Sequence, residues 1–137
     1  MFSLVCRVGR LVEVRVESLE TVEEVAQVEE RFSEVVSAVR AQVIVCGDYR
    51  NLRLFAPAVA DRFMAVMAGS NERVERSAVL LPRAGGTASL QISRIVRETR
   101  YRSRRAFREL APLEGWLGQV LDETERARLG EFLRAAP

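Results

Sequence analysis

Ala41-Gln-Val-Ile-Val-Cys46-Gly47 is the stretch on which the fold turns. It is a nearly continuous apolar run that stops at a glycine. A strand wetted on one side alternates apolar and polar residues, so an unbroken run predicts a strand buried in the middle of a sheet. Upstream, Val25, Val28, Phe32, Val35 and Val39 recur at steps of three and four, with Glu23, Glu30, Arg31 and Glu34 off that stripe. So many valines favour extended chain by propensity, but the spacing is helical, and spacing decides. Thr21 and Glu24 form a capping-box pattern ahead of it, which predicts a helix over residues 22–40.

Earlier still, residues 3–8 read as a strand and Gly9 marks a tight turn. Val12, Val14 and Val16 then alternate with Glu13, Arg15 and Glu17, which predicts valines on the core and charges in water. The two strands make a β-hairpin. Strand, helix and strand in this order imply a right-handed parallel crossover.

Downstream, a loop from Asp48 to Phe55 reaches Pro57, a residue suited to the first turn of a helix. Val59, Phe63, Val66 and Met67 give that helix its buried face, and Gly69 is a natural stop. Residues 77–82 form a second central strand closed by proline. Arg83-Ala-Gly-Gly86 is a glycine-rich loop, and Thr87 is placed to cap a helix over 88–100 whose inner face holds Ile92, Ile95, Val96 and Thr99. A short strand around Phe107 follows. A helix over 112–120 carries Leu113, Trp116, Leu117 and Val120, and a last one over 122–135 carries Leu129, Phe132 and Leu133. The order ββαβαβαβαα defines an α/β protein: a single domain with a mixed, mostly parallel sheet of about five strands.

Composition restricts the chemistry. The chain has 137 residues, 48% hydrophobic and 29% charged, as ordinary globular proteins do. It contains no histidine and no lysine, so all 21 basic residues are arginine. The base tuned near neutrality, the Ser–His and Cys–His pairs, the Schiff-base lysine and the phosphate-gripping lysine are therefore all missing. Arginine stays charged and does not replace them as a base. The expectation is a protein that is not an enzyme and uses no cofactor. Cys6 and Cys46 stand alone in apolar runs, without the clustering that zinc or thioredoxin-like chemistry needs, and read as small buried hydrophobes. No stretch approaches the ~20 apolar residues of a membrane span, and Arg7 and Arg10 interrupt the apolar start, so a cytoplasmic protein is expected.

These elements together resemble the STAS/SpoIIAA-like superfamily, which contains anti-sigma-factor antagonists and stand-alone bacterial relatives. The resemblance rests on Val43-Ile-Val-Cys46 followed by Asp48, the proline-started helix at Pro57, the strand Ala78–Leu81 and the closing Phe107…Trp116-Leu117. It spans roughly residues 3–120, which makes the helix over 122–135 an appended element. It implies a regulatory or scaffolding module that acts by binding another protein. The family's switch is a phosphorylated serine or threonine at the start of the second helix. The matching stretch here, Phe55-Ala56-Pro57-Ala58, has no hydroxyl.

In parallel sheets, partners and ligands meet the loops at the carboxyl ends of the strands. The candidate contact residues are accordingly Asp48, Arg50, Arg53, Ala56, Arg83, Gly85, Gly86 and Thr87. The glycine loop reads either as an anion cradle or as a plain turn with a helix cap, and Asp48 either as a ligand group or as a cap of its own loop. An anionic small molecule or phospholipid head group at Arg50, Arg53 and Arg83 is the alternative to a protein partner. Charge is also uneven. Residues 41–110 hold 13 arginines against 6 acids, and Arg94, Arg97, Arg100 and Arg104 mark a basic patch. Few aromatics interleave these arginines, so nucleic-acid binding is the weaker expectation. A homodimer through the last helix or an exposed strand stays open.

Overall fold

The computed structural model describes residues 1–83 and 86–135. Strands β1 (Phe2–Val8), β2 (Leu11–Val16), β3 (Val43–Asp48), β4 (Val74–Leu80) and β5 (Arg104–Phe107) form one sheet in the order β1-β2-β3-β4-β5. The first pair is antiparallel and the others are parallel. The helices are α1 (Val22–Ser37), α2 (Pro57–Gly69), α3 (Gly86–Glu98), α4 (Leu110–Gly118) and α5 (Glu123–Arg134), with a short 3-10 turn at Asn71–Arg73. The predicted order and fold class hold, with small shifts at the ends. The helix predicted to 40 stops at Ser37, where the Arg73 guanidinium donates to the Val36 carbonyl.

Each parallel connection adds its strand on the same side of the last. Right-handed crossovers of that kind place every connecting helix on one face. That face holds the larger core: Val12, Val14 and Val16 of β2 pack with Val25 and Val28 of α1, Phe63 of α2 and Ile92 and Ile95 of α3. The other face belongs to the chain's end. Leu11, Ile44, Cys46, Ala78 and Leu80 from the strands meet Leu113 and Leu117 of α4 and Leu129, Phe132 and Leu133 of α5.

This second core corrects one expectation. Glu13 and Arg15 do not face water. Glu13 is 2% exposed and accepts two hydrogen bonds from Arg128 of α5, Nε to Oε2 and Nη2 to Oε1, both at 2.7 Å. Arg15 lies over the Phe132 ring at 4.3 Å and donates to the Phe132 carbonyl. The helix expected as an appendage thus covers β1–β3, and the strand charges serve as its anchors.

The helix also grips the hairpin. Gly9 has φ +56, the positive value a tight hairpin turn needs at its first central residue. The Arg10 amide donates to Glu125 Oε2 at 2.7 Å, while Glu125 Oε1 accepts the Asp122 amide at 2.9 Å and completes the α5 capping box. One buried carboxylate therefore caps a helix and holds a turn.

Candidate functional site

Asp48 ends β3 and is 5% exposed. Its carboxylate accepts the Arg50 amide at 3.2 Å, Arg50 Nε and Nη2 at 2.9 Å each, and Arg15 Nε at 3.2 Å. Burial pushes its pKa up, but the hydrogen bonds and charge of Arg50, together with Arg15, outweigh this and hold the carboxyl below its ordinary value. Arg50 also donates to the Leu133 carbonyl at 2.7 Å. Of the two readings of Asp48, the cap is the one the geometry takes. Arg50 ties the strand end to α5, and the Asp48 carboxylate is taken up by Arg50 and Arg15.

Their locking shapes the loop that follows. The Tyr49 amide donates to the Leu80 carbonyl and the Arg83 amide to the Arg50 carbonyl, both at 3.0 Å, so the two strand-end loops are sewn together. The Gln91 side chain of α3 then closes the far end of the loop: its Oε1 accepts the Phe55 amide and its Nε2 donates to the Phe55 carbonyl, each at 2.9 Å. A glutamine in mid-helix gives no pattern to a sequence reader, and Gln91 was not among the expected residues.

Arg53 and Arg83 remain exposed on these loops, with no side-chain partner among the described residues. A cleft of about 550 Å³ lies between them, bounded also by Leu54 and Thr87. Leu54 is 54% exposed and Leu90 is 68% exposed. They adjoin Phe55 and Gln91 in sequence and so flank the clamp. Ala56 is exposed at the N-cap of α2, where no side chain caps the helix and Pro57 fills the first turn. Gly86 and Thr87 are exposed as well, but Thr87 lies inside α3, which begins at Gly86, and so is not the cap expected of it. Gly85 lies outside the described residues.

The basic patch is rearranged. Arg94 pairs with Glu98 one turn along α3, Nε to Oε1 at 2.9 Å. Arg104 turns inward and is 5% exposed; it donates to Asn71 Oδ1 at 2.6 Å and to the Met67 carbonyl at 3.2 Å, and lies over the Tyr101 ring. A residue starting an edge strand has one face on the core, and Arg104 takes it. Arg97 and Arg100 stay exposed, joined by Arg102 and Arg105. Burial pushes the Cys46 thiol well above its ordinary pKa, and Cys6, half-buried, is raised by the same cause, so neither presents a ready thiolate.

No protein-family model matches the chain, and no curated protein sequence matches it either. The structure is similar to the crystal structure of an uncharacterised protein of the DUF3478 family with a SpoIIAA-like fold from Shewanella loihica PV-4, with a TM-score of 0.60 and 11% sequence identity. The likeness covers 85% of this chain and 93% of that one. The fold is therefore SpoIIAA-like, in agreement with the resemblance carried by the strand and helix order. Among the described residues, no helix is long and apolar enough to cross a membrane.

Proposed function

We propose that this protein is a non-enzymatic regulatory or scaffolding module that binds another protein through the loops over 48–56 and 83–87 and the start of α2. The observation that carries the reading is the pair of exposed leucines, Leu54 and Leu90, with Arg53 and Arg83, which have no side-chain partner among the described residues, on loops held by Asp48, Arg50 and Gln91. Apolar side chains rimmed by charge on a fixed scaffold are what protein contacts use. The SpoIIAA-like fold and the absence of histidine and lysine support the same reading. Affinity capture from host lysate tests it. Leu54→Asp and Leu90→Asp are expected to abolish capture of a partner that the unaltered chain retains. Capture that survives both changes counts against this surface.

A second reading has an observation of its own. Arg53 and Arg83, without side-chain partners among the described residues, face one cleft whose lining also includes Arg50, and such a group of guanidiniums suits an anionic small molecule or head group. Thermal stabilisation by an anionic metabolite, lost in Arg53→Gln/Arg83→Gln, would favour it over the protein partner.

A further inference from the structure

A shallow cleft of about 580 Å³ lies at the open edge of β5, between the outer side of α3 and the turn that joins them. Arg97, Arg100, Arg102 and Arg105 line it, and no carboxylate does. None of the four has an ion pair or a side-chain hydrogen bond among the described residues, and only Arg105 is engaged otherwise, over the Trp116 ring, although most arginines of this chain are spent on carboxylates or carbonyls. Arg104 forms part of the same wall from within. Its Nε is buried without any acceptor. The protein thus concentrates positive charge here and supplies no anion of its own.

Backbone geometry adds an independent sign. Arg100 follows α3 with φ +51, the left-handed conformation in which glycine is the least strained residue. An arginine held there costs free energy that a glycine would not. Strain of this kind concentrates at binding sites, and here it delivers a guanidinium to the cleft.

We propose that this cleft is a binding site for a small phosphate-bearing ligand. Guanidinium forks match phosphate oxygens in geometry, and several of them suit a ligand with more than one charge. The nearby aromatic faces are also taken: Arg76 and Arg105 lie over the Trp116 ring at 4.9 and 4.8 Å, and Arg104 lies over Tyr101 at 5.4 Å. A single aromatic side chain, Tyr101, lines the cleft, and single-stranded nucleic acid needs a series of rings, so it is the poorer occupant.

Pyrophosphate titrated into the 15N-labelled full chain is the direct test. Saturable amide shifts confined to residues 93–106 are expected. Arg97→Gln/Arg102→Gln should weaken binding about tenfold or more, the loss expected when charged donors are removed. Arg62→Gln, on α2 and outside the cleft lining, should leave it unchanged. Arg100→Gly separates ligand from fold: it should raise the urea midpoint while weakening pyrophosphate. Co-sedimentation with phosphatidylcholine vesicles containing phosphatidic acid distinguishes the sources. Dependence on Arg97 and Arg102 there makes the phosphate a lipid head group, whereas pyrophosphate binding without sedimentation makes the ligand soluble. The proposal is overturned if neither probe binds, if binding follows Arg53 and Arg83, or if Arg100→Gly binds as well as the unaltered chain. It is also overturned if a single-stranded oligonucleotide binds more tightly with length and with a steep salt dependence.

Discussion

A methyl group at Gly9 would sit 2.2 Å from a Glu125 oxygen while the backbone holds a positive φ. Both costs fall on one substitution, so Gly9→Ala should lower stability by about 2 kcal/mol, read as a smaller urea midpoint with an unchanged slope. Asp48 makes a different prediction. Its carboxyl titrates below the ordinary aspartate value of about 3.9, so the folded state binds a proton less readily than the unfolded chain. Its contribution is complete above that value and is lost as pH falls through the lower, folded one. Denaturant titrations of Asp48→Asn between neutrality and pH 3 should show lower stability at neutrality and a shallower decline in acid. An unchanged acid slope would place the titrating group elsewhere.

The elements were legible to different depths. Helical spacing marked α1 through Val25, Val28 and Val35, and the unbroken runs marked β3 and β4, because each pattern is local and repeats. The role of α5 was not legible. Alternation along β2 reports that Glu13 and Arg15 are polar and face one way; it is the same whether the charge meets water or a guanidinium. The available signal lay in β3 and β4, since runs apolar on both sides require a cover on both sides. At the site, the charged loop was visible in Arg53 and Arg83, but the clamp from Gln91 was not, because a single amide makes no period. Arg128→Met tests the anchor: it leaves the buried Glu13 carboxylate with only the exposed Arg7 at 4.0 Å and should cost about 3 kcal/mol, measurable by urea denaturation. Leu129→Ala empties part of the same core and should cost about 3 kcal/mol by a separate route, the cavity it leaves.

Across the whole molecule, arginine works as a terminator of helices. Arg73 takes the Val36 carbonyl at the end of α1 at 2.7 Å, Arg76 the Trp116 carbonyl of α4 at 2.7 Å, and Arg15 and Arg50 the last carbonyls of α5. These are groups that a helix leaves without internal partners, and a forked donor satisfies them while reaching a carboxylate or ring as well. The sheet in turn depends on α5. A chain ending at residue 121 would bare Leu11 and Ile44 to solvent, and it should lose its cooperative thermal transition in calorimetry.

The antiparallel hairpin has a practical consequence. Because β1 runs against β2, Met1 lies by Ser18 and shares a cleft with Asn51 and Arg53, while the last carbonyls of α5 are held by Arg15 and Arg50. Both ends of the described chain thus emerge at the mouth of the strand-end loops. An affinity tag, dye or fused protein on either end would stand beside Arg53 and compete with any partner there. A label on the α3–β5 turn would hold clear of that mouth, and a tag on a long, uncharged spacer is the form in which the interaction surface stays open to capture.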